Sequence, residues 1–232
     1  MRTLLLALAA LAAAAPLAAQ HQHAPPAQQQ GQPTPHVTGQ PASSQAPDHT
    51  RYPAGWAVRT DRDGPRDQVW LMDHGGGELH AATGPVGAVY YNAGWAKQGD
   101  YAYAARFRQP RASQHPEAYG LVIGGGGLDG AEQRYSYFLI RQTGEYFIAD
   151  RRGETRTKVV DWTPHAAIRK VEGEAGATNV LGVAVRGADV VFLVNGQEVA
   201  RRPRSELSTD GVAGFRVNHN LEVFIDQVQP QP

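Results

Sequence analysis

Between Ala118 and Val228 the chain runs as one short alternating segment after another, each closed by a turn signal. The sharpest is VVFLVNGQEVARR, where Asn195-Gly196 separates two β-prone runs. A two-residue hairpin of type I′ needs φ > 0 at both central positions, and Asn-Gly meets that demand at least cost. Thr143-Gly144, between RYSYFLIRQ and EYFIADRR, reads the same way, as does Gly187-Ala188 between NVLGVAVR and DVVFLVNG. A fourth hairpin is read at Asn218-His219-Asn220, between GVAGFRVN and LEVFIDQV, and a weaker pair, ELHAAT and AVYYN, around Gly84-Pro85.

Side chains alternate along a strand, so period two assigns faces. In YAYAARFR, Tyr101, Tyr103, Ala105 and Phe107 share one face, while Arg106 and Arg108 share the other. AYGLVIGG puts Tyr119, Leu121 and Ile123 opposite Gly120 and Val122. Only two stretches suit short helices: TPHAAIRKV, with Thr163 as N-cap and Pro164 at the first helical position, and RSEL from Arg204. About ten strands with a turn roughly every 8–12 residues predict an all-β fold, a two-sheet antiparallel sandwich with at most two short helical turns.

The N-terminus is of another kind. MRTLLLALAALAAAAPLAAQ has one basic residue, an apolar run, Pro16 and then small residues, which is the pattern of a secretory signal peptide over residues 1–20. Its apolar run is short for a bilayer crossing, so a retained anchor is the weaker reading. Residues 21–49 are rich in Gln, Pro, Ala, Ser and His without apolar periodicity, and are expected to form a disordered tether. The folded domain is expected over residues 50–228, with 229–232 as a tail. The chain is therefore expected to be exported, to the periplasm, cell surface or medium, with no membrane segment once the signal is removed.

Composition excludes several classes. There is no cysteine, so thiolate metal sites and cysteine nucleophiles are impossible. Basic and acidic residues balance at 22 each, which gives no overall field for nucleic acid. Two local basic clusters, Arg151, Arg152, Arg156 and Lys158, and Arg201, Arg202 and Arg204, sit beside turns and read as solvated faces.

The order YGLVIGG, YSYFLIRQTGEYFIADR, VDWTPHAAI, TNVLGVAVRGADVVFLVNGQEV, DGVAGFRVN, FIDQV resembles the concanavalin A-like (laminin-G-like) jelly roll. More narrowly it is similar to secreted bacterial proteins of the 3-keto-disaccharide hydrolase domain family, over residues 55–228. The resemblance implies a carbohydrate-related sandwich. Its motifs are structural and carry over no active-site residue.

The chemical motifs are weak. Gly125-Gly126-Gly127-Leu128-Asp129-Gly130 matches G-x-G-x-x-G, but a strand follows where a dinucleotide site needs a helix. Asp73-His74-Gly75-Gly76-Gly77 contains an HGGG, yet no G-x-S-x-G nucleophile elbow occurs, and a Gly-rich turn is expected there. Glu78 and His80 leave one face of a strand near His74, as metal ligands, an acid–base pair or a solvated face. Closely spaced carboxylates of the glucanase kind are missing.

Two functional classes remain, with a structural or adhesion domain as the third. The first is a non-catalytic carbohydrate-binding domain, with Arg106, Arg108, Arg134, Tyr137, Asn218, Asn220 and Trp95 as candidate ligand contacts. Trp95 is the expected exposed stacking platform, and Trp56 and Trp162 are expected in the core. The second, implied by the resemblance, is an enzyme cleaving 3-keto glycosides. Oxidation at C3 acidifies the C2 proton, so one base and one carbonyl polariser suffice. His219, Glu117 or His115 are candidates for the base, and Arg106 or Arg108 for the polariser. No cofactor is expected. Asp129 and Glu132 are too few to specify calcium. Cleavage after Gln20 would leave His21-Gln22-His23 as a square-planar nitrogen chelate for Cu(II), with His21 and His23 as ligands; cleavage after Ala19 would abolish it.

Overall fold

The computed structural model describes residues 52–64 and 67–231. His21 and His23, the proposed signal peptide and the tether lie outside the described residues. Among the described residues, fourteen strands form two seven-stranded sheets. The first contains β1 (Trp56–Thr60), β4 (Ala88–Lys97), β13 (Gly211–Val217), β6 (Ala118–Gly126), β7 (Arg134–Arg141), β8 (Glu145–Arg152) and β9 (Thr155–Pro164), in that spatial order. The second contains β12 (Gln197–Pro203), β11 (Asp189–Val194), β10 (Ala177–Arg186), β5 (Tyr101–Gln109), β14 (Glu222–Gln231), β3 (Leu79–Ala82) and β2 (Trp70–Asp73). All pairings are antiparallel. The fold is the two-sheet antiparallel sandwich that the alternation predicts, in the jelly-roll form that the resemblance implies.

Period two sorts the side chains as expected. Along β5, Tyr101, Tyr103, Ala105 and Phe107 are buried between the sheets while Arg106 and Arg108 point out. Phe107, Tyr119, Phe138, Phe192 and Phe215 fill the core from both sheets. Its buried phenols find acceptors: Tyr90 donates to the Ala82 carbonyl (2.6 Å), Tyr101 to that of Thr209 (2.7 Å) and Tyr103 to that of Gly214 (3.1 Å). Asn195 (φ 51°) and Gly196 (φ 81°) form the left-handed pair that the β11–β12 hairpin requires.

Three expectations need correction. Asn218-His219-Asn220 does not close a hairpin, because β13 lies in the first sheet and β14 in the second. The Gly84-Pro85 turn likewise carries the chain from β3 to β4, across the sandwich. TPHAAIRKV is not helical: β9 runs to Pro164 and turns follow, while Arg204–Glu206 forms one 3-10 turn. The Asp73–Gly77 turn joins β2 to β3 as a hairpin.

Candidate functional site

The register of the first sheet lays out its outer face. Residues directly opposite across antiparallel strands share a face. One row therefore runs Arg59, Val89, Arg216, Gly120, Leu139, Phe147, and the next runs Tyr91, Gly214, Val122, Tyr137, Ala149, Lys158. Gly214 and Gly120 sit mid-sheet, where a Cβ would meet the carbonyls of Tyr90 and Phe138 at 2.1 Å. Tyr135, Tyr137, Leu139 and Phe147 are buried on this outer face as a second apolar cluster, and Tyr91 and Trp162 pack half-buried against it.

Planar charged groups lie over that floor. Arg216 sits 5.3 Å above the Tyr137 ring and binds Asp61 through both terminal nitrogens, at 2.7 and 2.6 Å. Burial disfavours ionisation of Asp61, yet Arg216, its hydrogen bonds, Arg151 and His219 outweigh it and hold the carboxyl below its ordinary range. Burial likewise works against the Arg216 cation and is outweighed by Asp61, so its pKa is raised. Burial pushes the Tyr137 phenol up, against the opposing pull of Arg216 and Arg156. Arg141 lies 4.4 Å over the Trp162 ring and grips Glu145 at 2.7 and 2.5 Å. The Gly-rich 125–130 loop borders the face, pinned by Arg59, which donates to the Leu128 and Gly130 carbonyls (2.9 Å each).

Some of the residues picked out from the sequence do meet. His219 Nε2 contacts Glu117 Oε1 at 2.9 Å, and His219 also acts electrostatically on Asp61. Asn218 donates its backbone N–H to the Ala118 carbonyl (2.8 Å), and Asn220 donates to that of Gly84 (2.6 Å). The His115 carbonyl accepts from the Glu117 N–H at 2.7 Å. The crossover loops thus gather His115, Glu117, Asn218, His219 and Asn220 at one end of the sandwich.

Others lie elsewhere. Arg106 and Arg108 are on the outer face of the second sheet. There Arg106 pairs with Asp226 (2.5 and 2.6 Å), while Arg108 lies 3.8 Å over Phe224 and 3.8 Å from Glu78. Arg134 donates to the Gly124 and Asp210 carbonyls at a loop edge. Trp95 is no free platform: its half-buried ring packs on Trp56 at 4.7 Å and on Phe215 at 5.9 Å, so it belongs to the core. Trp162, expected in the core, lies on the outer face against Phe147 at 5.0 Å. Asp61, Tyr91, Phe147, Arg151, Arg156 and Arg216 were not singled out as ligand contacts. Alternation alone puts Arg216 opposite the core residue Phe215, but its partner Asp61 is 155 positions away.

The second sheet carries an open cleft of about 490 Å³, lined among others by Trp70, Arg111, Ser113, Asn220 and Glu222. His80 shares a hydrogen bond with Glu222 (2.7 Å) and stacks on Phe224 at 3.9 Å. Burial lowers the His80 pKa against the pull of Glu222. Glu78 lies 3.8 Å from Arg108 and also acts on His80, whose ring meets that of His74 at 5.2 Å, and among the described residues no three His, Asp or Glu side chains gather as a metal site.

No family model matches the chain, and no curated protein matches it. Solved structures do. The carbohydrate binding module CBM66 from Bacillus subtilis matches at 11% identity over 77% of this chain and 96% of its own, with a TM-score of 0.57. A native glycosidic hydrolase matches at 10% identity, over 78% and 92% of the two chains, with a TM-score of 0.49. Sheep galectin-11 matches at 12%, over 58% and 91%, with a TM-score of 0.42. At such identity the first likeness establishes the sandwich fold, and the other two add no weight.

Proposed function

We propose that this chain is an exported carbohydrate-binding domain and that the outer face of the first sheet is its binding surface. One observation carries the reading: an aromatic floor of Tyr91, Tyr137, Phe147 and Trp162 overlaid by the guanidinium groups of Arg141 and Arg216. Pyranose rings present apolar C–H faces that suit aromatic rings, and hydroxyl edges that suit planar polar groups. The likeness to a carbohydrate binding module supports the same reading. Affinity electrophoresis of the exported chain against a panel of polysaccharides tests it. Retardation by at least one polysaccharide is expected, weakened about tenfold in Trp162→Ala, which trims a half-buried ring outside the inter-sheet core. No retardation by any polysaccharide, or wild-type retardation of the Trp162 variant, rejects the surface.

The His219–Glu117 contact favours a second reading, membership of the 3-keto-disaccharide hydrolase family. His219 would take the C2 proton of a 3-keto glycoside, the electron pair would form the C1–C2 double bond, and the glycosidic C1–O bond would break with its pair on the leaving oxygen. The nearby guanidinium is that of Arg216, since Arg106 and Arg108 lie on the other sheet. Turnover of a 3-keto-glucoside that is abolished in His219→Ala supports this reading; binding without turnover leaves the first alone.

A further inference from the structure

We propose that the glycan held by this face is acidic, and that Arg151 and Arg156 receive its carboxylates. The inference rests on the binding surface proposed above and names its ligand class.

Arg151 and Arg156 are directly opposite each other across β8 and β9, and Tyr135 is opposite Arg151 on β7. Both arginines therefore leave the sheet on the face that carries Tyr135 and Tyr137. Like charges directly opposite across strands repel and destabilise the pair. Neither arginine has an ion-pair partner among the described residues to relieve this. Arg151 spends its Nε on the Gly153 carbonyl (3.1 Å), and Arg156 reaches the Tyr137 hydroxyl and lies 6.0 Å over the Phe147 ring. Asp61 acts on Arg151 from a distance, but both of its oxygens are already held by Arg216. Arg156 and Arg216 both act on the Tyr137 phenol, and the carboxylates that act on this group are already engaged: Asp61 by Arg216, and Asp161, which acts on Arg156, by Lys158.

The other cations of this face have counter-charges beside them: Arg141 pairs with Glu145, Lys158 with Asp161, and Arg59 acts on Tyr91 together with Asp129. The excess positive charge is therefore local to the β8–β9 end and does not spread over the whole surface. A guanidinium presents a planar fork that fits a carboxylate through two parallel hydrogen bonds. Two such forks with neighbouring Cβ atoms about 5 Å apart can converge on one carboxylate or bracket two on successive sugars. The adjoining rings of Phe147 and Trp162 supply the apolar floor for the pyranose that carries it. A uronate-type sugar has this combination of a flat C–H face and a carboxylate.

The test compares oligogalacturonate, a neutral oligosaccharide of equal length and a sulfated oligosaccharide, by calorimetry on the exported chain at low and high salt. The uronate should bind about tenfold or more tightly than the neutral sugar, with an advantage that shrinks as salt rises. Arg151→Gln with Arg156→Gln should erase the advantage while leaving thermal stability equal or higher, because the like-charge pair is gone. A merely structural role for these arginines predicts the opposite stability change. Trp162→Ala should weaken uronate and neutral sugar alike, which separates the two ideas. Equal binding of neutral and acidic sugars overturns the acidic assignment and leaves the carbohydrate surface intact. Tighter binding of the sulfated sugar than of the uronate also overturns it. Binding of none of the three rejects both.

Discussion

Asp61→Ala tests the central electrostatic feature of the outer face. Arg216 is only 12% exposed and its partner 36%, and two short hydrogen bonds join them. Removing one member of a fully buried pair costs about 3–5 kcal/mol, because the survivor stays charged without a counter-ion. Water already reaches Asp61 and would follow into the gap, so the expected loss is smaller, about 2–3 kcal/mol. For a domain of this size that lowers Tm by about 5–10 °C. Urea unfolding followed by tryptophan fluorescence measures it directly, with an unchanged m-value showing that the denatured state is not involved. The pH dependence supplies a second check. The folded carboxyl titrates below its ordinary value of 3.8, so its contribution is complete above that value and is lost as pH falls through the folded pKa. The gap between wild type and variant should be constant from neutral pH to about 5, then close in acid. Asp61→Ala with Arg216→Met should recover part of the loss, since no unpaired charge remains. A difference under about 1 kcal/mol at pH 7 would show the pair to be an ordinary surface contact, and one that persists unchanged in acid would show that the Asp61 charge is not its source; either refutes the reasoning.

Gly214→Ala should cost about 3 kcal/mol or prevent folding, since its Cβ would meet the Tyr90 carbonyl at 2.1 Å. Gly182→Ala, whose nearest neighbour lies 3.7 Å away, should be neutral or stabilising by about 0.5 kcal/mol; equal urea midpoints for the two variants would contradict the close strand approach. Asn195→Gly keeps the left-handed turn but removes side-chain hydrogen bonds to the Ala167 carbonyl, Asn179 and the Val180 N–H, so about 1–3 kcal/mol should be lost. An unchanged melting temperature there would mean that the turn conformation alone matters. Because burial lowers the His80 pKa, the unfolded chain takes up a proton first as pH drops below 6.5, and stability should fall until the folded His80 also titrates. His80→Gln should flatten that part of the melting curve against pH; an equally steep profile would assign the acid sensitivity to another group.

What could be read in the chain was local. The Tyr101–Phe107 stripe and the Asn195-Gly196 hairpin depend on neighbours within one strand or turn, and both stand as expected. The two crossovers could not be told from hairpins, because Asn218–Asn220 and Gly84-Pro85 specify a reversal of direction and not the sheet that receives the next strand. β9 is an edge strand with exposed Arg156 and Lys158, so it lacks the apolar alternation that marks strands such as β5. Trp95 sits in NAGWAKQGD, whose polar neighbours suggest exposure; its ring is drawn inward by Trp56, 39 positions earlier. The site was less legible still. Arg151 and Arg156 looked like a solvated charge cluster until the β8–β9 register set them opposite each other on an aromatic face.

That register also separates the parts of the face that can change from those that cannot. Tyr137 and Phe147 are each 5% exposed and belong to the folded structure as much as to the surface above it. Altering them must change stability and binding together, because a buried aromatic cannot be trimmed without leaving a cavity. Trp162 is half-buried, and Arg151 and Arg156 lie on the last two strands of the sheet, β9 being its edge. Substitutions there remove little buried area, so the sandwich should stay as stable as before while any ligand preference of the proposed surface changes. Under the proposed sugar-binding role, ligand preference would be set at the β8–β9 edge, and variants of that edge are the ones whose binding changes could be interpreted without a correction for unfolding.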